Sequence, residues 1–138
     1  PLDAGPVRGF QTRFHLYTIP GQSFYEVARQ FILKGVDGIV FVIDSQQERL
    51  EANLESYESL EQNLEFQGYD TAKIPIIFQF NKRDLPSAYS LADLSQAFNR
   101  RANRSAVPEF EAVAAKGIGV FETLNEITKQ VILDLKSN

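Results

Sequence analysis

The sequence predicts an α/β fold: a mostly parallel sheet with helices on both of its faces. Two observations carry this. Apolar runs at 38–44 and 74–81 each end in a polar residue, Asp44 and Asn81, as strands covered on both sides do. Between and around them, segments with period-two and helical patterns alternate regularly along 138 residues, and strand–helix alternation builds a parallel sheet with crossover helices.

The elements follow in order. Pro1 to Pro6 is turn-rich. Residues 10–18 alternate, with Phe10, Thr12, Phe14 and Leu16 on one face and Gln11, Arg13, His15 and Tyr17 on the other, which predicts a half-exposed strand ended by Pro20-Gly21. From Gln22 to Lys34, Phe24, Val27, Ala28, Phe31 and Ile32 recur at helical spacing, and Gly35 is placed to stop that helix. Residues 38–44 read as a strand buried on both faces. A long helix is predicted over 46–67, with the stripe Leu50, Leu54, Tyr57, Leu60 and Leu64, a solvated surface of glutamates, and Gly68 as its end. The strand over 74–81 carries Pro75 near its start, where it is tolerated. Ser90, with Asp93 three residues on, predicts the cap of a helix over 90–100. Arg100 to Ser105 reads as an exposed loop with solubilising arginines. A short strand is predicted around 110–113, and a final helix over 120–135 with Phe121, Leu124, Ile127, Val131 and Leu135 as its apolar face.

Composition narrows the function. Of the residues, 43% are hydrophobic and 23% charged, and 14 Lys and Arg against 18 Asp and Glu give a formal charge of −4. General electrostatic attraction to nucleic acid or anionic membrane is therefore lacking, so no nucleic-acid partner is expected. The chain has no cysteine, which removes disulfides, thiolate metal sites and cysteine nucleophiles. No apolar run reaches the roughly 18 residues that span a bilayer. A cytoplasmic protein is expected.

In parallel sheets ligands sit beyond the carboxyl ends of the strands. There stands Asn81-Lys82-Arg83-Asp84. The Asp84 carboxylate can accept from the ring N–H and exocyclic amine of guanine, a donor pattern that adenine lacks, and a site built for those donors penalises the wrong base. Lys82 can lay its stem along a base, and Asn81 can tie its loop to a neighbour. Ala114-Ala115-Lys116 follows the next strand, where the Ala115 N–H could donate to the guanine carbonyl. After the first strand, Gly21 allows close approach to a phosphate, and Gln22 could orient an attacking water. Two other residues have plainer readings. His15, the only histidine, suits a surface or cross-strand role better than proton transfer. Asp44 could be a phosphoryl acceptor, but the acidic cluster that such sites use for Mg²⁺ is not evident beside it.

These segments, in this order at these strand ends, resemble the Ras-like small GTPases. Runs such as Arg13 to Gln22, Gly35 to Val42, Asn81 to Pro86 and Gly119 to Leu124 are similar to the bacterial gliding-motility branch of that family. Ala114 stands where the family usually has serine, and Thr18 where it usually has an aspartate that helps to hold Mg²⁺; that branch shares the threonine. The resemblance implies a partial P-loop NTPase fold lacking the first strand, the phosphate-binding loop and the first helix. Residues 1–138 would then be the C-terminal two-thirds of a single G domain, inactive as a GTPase alone. It further implies a switch binding GTP or GDP with Mg²⁺, with Asn81, Lys82, Asp84, Ala115 and Lys116 around the base and Gly21 and Gln22 at the γ-phosphate. A Roadblock-type activating protein and effectors of cell polarity or motility are the implied partners. The competing reading is an interaction module that keeps the fold without turning over nucleotide.

Overall fold

The structure is a computed structural model and describes residues 2–7, 10–19, 26–100, 104 and 106–137. Its centre is a parallel sheet in the order β3 (Ile39–Asp44), β4 (Ile76–Asn81), β5 (Glu109–Glu111). β4 lies in the middle. Its residues Ile76 to Phe80 are all buried, because a central strand has neighbours on both edges and helices on both faces.

One face packs against α1 (Glu26–Leu33), α2 (Leu50–Phe66) and α3 (Leu91–Asn99). Here Phe41, Tyr57, Phe78 and Phe98 meet at ring-centroid distances of 5.2 to 6.3 Å, mostly edge to face, the arrangement favoured by the ring quadrupole. The other face is covered by α4 (Val120–Ser137), whose Ile127 and Val131 pack with Ile77, Val40, Phe110 and Phe14. Gly38 permits that approach: a Cβ there would stand 2.6 Å from Val131 Cγ2. Ser90 caps α3 by accepting from the Asp93 amide at 3.1 Å, and Gly35 and Gly68 take left-handed φ values of 81° and 86° after α1 and α2, both as expected from the sequence.

Several expectations are corrected. The turn-rich start contains a strand, β1 (Leu2–Val7), paired antiparallel with β2 (Phe10–Phe14) and irregular between Asp3 and Gly5. β2 ends at Phe14 rather than at residue 18: the pair Leu2↔Phe14 is the last rung among the described residues, and Leu16 is exposed. The strand at β3 is not buried on both faces. Val40 lies under α4, but Val42 on that same side is 51% exposed; among the described residues β3 pairs only with β4, and no ladder joins β2 to β3. The helix expected from 46 begins with a 3₁₀ turn over Gln47–Arg49. On α4 the buried face is Thr123, Ile127 and Val131, while Phe121 and Leu135 are exposed. Arg104 is half-buried and donates to the carbonyls of Ile74 (2.5 Å) and Thr71 (3.3 Å), so it braces the segment before β4. No described helix is long and apolar enough to cross a membrane.

Candidate functional site

The register Asp44↔Asn81 ends β3 and β4 level with each other, so the chain segments leaving them run side by side. Backbone bonds stitch them: Ser45 N–H donates to the Asn81 carbonyl (3.1 Å) and Tyr89 N–H to the Ser45 carbonyl (2.8 Å). The third strand joins through Ala112, which donates to the Phe80 carbonyl (2.8 Å) and accepts from Arg83 N–H (3.2 Å). Three strand exits thus form one rigid ledge.

The side chains of Asn81-Lys82-Arg83-Asp84 complete it. Asn81 Oδ1 accepts from the Ala114 amide at 2.9 Å, tying the loop after β4 to the 3₁₀ turn Ala114–Lys116 after β5. Lys82 takes a left-handed φ of 61°, the one positive φ among described non-glycine residues, and its Nζ lies 3.0 Å from Asp44 Oδ2. Arg83 donates from Nη1 to the Tyr89 carbonyl (2.6 Å) and pairs through Nε with Glu111 (3.3 Å). Asp84 faces the Lys116 ammonium at 3.9 Å and keeps 38% of its side chain exposed, so its carboxylate stays open to a ligand. Burial pulls the Asp44 carboxyl upward, but Lys82 and the Gln46 backbone and side-chain amides outweigh it and hold the group below the usual carboxylate range.

The second loop is held from below. Gly117 and Gly119 adopt φ of 74° and 79°, Val113 and Ile118 bridge across the turn, and Thr123 Oγ1 donates to the Gly119 carbonyl at 2.7 Å while accepting from buried Gln79 at 2.9 Å. Buried polar side chains are retained where each finds partners, and this pair anchors the loop to β4 and α4. A ledge of this kind offers one open carboxylate, a lysine stem with its ammonium neutralised and a set of fixed backbone amides, a donor and acceptor set suited to the edge of a flat heterocycle. Convergence of groups rather than a cavity marks it: a depression of about 480 Å³ lies elsewhere, beside Ser95, Asn99 and Arg100. Among the described residues no cluster of three or more His, Asp or Glu could hold a metal ion.

The structure brings Asn81, Lys82 and Asp84 together with the Ala114–Lys116 turn that carries Ala115 and Lys116. Gly21 and Gln22 lie outside the described residues. Thr18 and His15 are exposed. Arg83, Gln79 and Thr123 were not singled out by sequence; a buried-strand glutamine at Gln79 was the visible signal, since a polar side chain inside an apolar run demands a partner.

Parallel strands whose exits converge on an Asn-Lys-x-Asp loop define the G-domain class, and the chain belongs to the ADP-ribosylation factor family of small GTPases: the family's sequence profile matches residues 6–131. Within that class it is similar to the mutual gliding-motility protein MglA of Myxococcus xanthus (strain DK1622), with 56% identity over 136 residues, covering 99% of this chain and 68% of the relative. It is also 26% identical to ADP-ribosylation factor-like protein 6 of Caenorhabditis elegans over 135 residues, covering 95% of this chain and 70% of the relative. The same-named protein of Caenorhabditis briggsae is 26% identical over 129 residues, or 91% and 67% of the two chains.

Proposed function

We propose that these residues are the base-reading part of a guanine-nucleotide switch that cycles between GTP and GDP, hydrolyses GTP, and acts in gliding motility or cell polarity in the cytoplasm. The observation that carries the reading is the bond from the Ala114 amide to Asn81 Oδ1, which joins two loops around the exposed carboxylate of Asp84. Asp84 accepts from the guanine ring N–H and amine, the Lys82 stem lies along the base, and Ala115 and Lys116 close its carbonyl side. Gly21 and Gln22 act at the γ-phosphate, with Gln22 orienting the attacking water.

In this reading residues 1–138 form the C-terminal two-thirds of one G domain. Among the described residues β3 pairs only with β4, and this edge with the exposed Val42 beside it supports a further strand there; the coverage of the MglA relative at 68% agrees in size. The phosphate cradle and most ligands for Mg²⁺ come from that further segment, and the 138 residues alone are inactive as a GTPase. When bound, the ion neutralises charge on the β- and γ-phosphates. Similarity to MglA supports a Roadblock-type, MglB-like activating protein and polarity or motility effectors as partners.

The test is a change of base preference in the intact protein. Two hydrogen bonds to a charged acceptor contribute about 1.5–3 kcal/mol each, so Asp84→Asn should weaken GDP binding by about 100-fold or more and improve xanthosine diphosphate, whose carbonyl replaces the amine and suits the amide donor. Unaltered GDP affinity in that variant would refute the assignment.

A further inference from the structure

Resting on the guanine-nucleotide reading above, we propose that Asp44 is a positioning residue for base recognition: its carboxylate holds Lys82, and through it the loop Asn81–Asp84, in the conformation that meets the base.

Lys82 sits at φ 61°, where an L-residue other than Gly, Asn or Asp is disfavoured because Cβ crowds the backbone. Such a conformation persists only where the surroundings over-determine it. A lysine has no short polar side chain with which to bond its own backbone, so the restraint must come from elsewhere in the fold. Asp44 supplies it. Its Oδ2 accepts from Lys82 Nζ at 3.0 Å across two strands, and every other group of Asp44 is pinned. Oδ1 accepts from the Gln46 backbone N–H and from Gln46 Nε2, both at 3.1 Å. The backbone of Asp44 is clasped by Asn53, which accepts from its N–H (3.3 Å) and donates to its carbonyl (2.8 Å). Both oxygens are therefore engaged, Oδ1 by Gln46 and Oδ2 by Lys82.

The arrangement also decides what Lys82 offers a ligand. With the ammonium neutralised against Asp44, the side chain presents a stationary aliphatic stem rather than a mobile charge. The loop's own amides share in this order: Arg83 N–H donates to Ala112 and Leu85 N–H to Lys82. A released lysine would let φ relax and loosen both.

The experiment is a double-mutant cycle on the intact protein, read without nucleotide by amide hydrogen exchange at Arg83 and Leu85. Asp44→Asn keeps an acceptor for the Gln46 amide but removes the charge facing Lys82. It should speed exchange at both amides about three- to tenfold while global denaturant stability stays close to wild type. In a Lys82→Met background, the same Asp44 change should have no further effect. GDP binding by the intact protein is then measured: Asp44→Asn should weaken it about three- to tenfold, mainly through faster release. Unchanged exchange in Asp44→Asn, or an equal effect in the Lys82→Met background, would overturn the proposal. So would wild-type GDP affinity in Asp44→Asn when Lys82→Met binds weakly. If the exchange cycle behaves as expected but wild-type intact protein binds no GDP, the Asp44 restraint on the loop stands and the guanine reading fails.

Discussion

Gly117 and Gly119 offer a paired experiment on the loop that carries Ala115 and Lys116. Both adopt nearly the same left-handed backbone, φ 74° and 79°, so replacing either with alanine carries the same conformational penalty of about 1–2 kcal/mol. Their surroundings differ. A Cβ on Gly117 would meet nothing within 4 Å, whereas one on Gly119 would stand 3.0 Å from Ala112 Cα and nearer still to the Glu111 carbonyl oxygen. Backbone cannot swing aside as a flexible side chain can. Ala112 is moreover fixed through its bonds to Phe80 and Arg83, and Gly119 through the Thr123 hydroxyl, so relief on either side breaks bonds that hold the site. Forced backbone shifts add about 1–3 kcal/mol, which brings Gly119→Ala to about 3 kcal/mol against about 1 for Gly117→Ala. Because the protein has no tryptophan, urea unfolding is best followed by far-ultraviolet circular dichroism. With a slope of about 2 kcal/mol per molar, the two midpoints should differ by about 1 M. Equal midpoints would refute the argument that close backbone approach, and not φ alone, requires glycine at 119.

Two further outcomes follow from single side chains. Tyr57 is 2% exposed, and burial, reinforced by Glu61 and partly opposed by Arg104, pushes its hydroxyl up to about 12 from an ordinary 10.0. The unfolded chain therefore ionises first, so this stabilisation is whole below pH 10 and is lost as pH rises through 12; up to about 2 kcal/mol is involved. Stability measured from pH 8 to 12 should fall less steeply in Tyr57→Phe, and an identical slope would contradict the assignment. Gln22→Leu in the intact protein should leave GTP binding in place and slow single-turnover hydrolysis by at least about tenfold; unchanged turnover would remove Gln22 from the chemistry.

What was legible in the sequence was what short-range physics controls. The apolar run of β4, the Ser90 cap and the left-handed glycines after α1 and α2 all depend on neighbours within a few residues, and each stands where its pattern placed it. Long-range pairing was opaque. Val42 looked like core because its neighbours in sequence are apolar, but exposure depends on which elements reach that face, and α4 covers Val40 only. The start of the chain read as turns because of its prolines and glycine, whereas the partner that makes Leu2–Val7 a strand is β2. On α4, Phe121 was the more apolar residue and Thr123 the buried one, because the hydroxyl has Gln79 and Gly119 to bond. The same division holds at the site: Asn81, Lys82 and Asp84 announced themselves by spacing after a strand, while the parts played by Asp44 and Arg83 exist only once the strands are in register.

The central claim is that the ledge reads guanine. Competition of GDP and ADP for the intact protein, by displacement of a fluorescent guanine nucleotide, tests it most directly. Base selection through paired donors predicts that ADP competes at least about 100-fold more weakly than GDP; comparable competition by the two nucleotides would contradict the account.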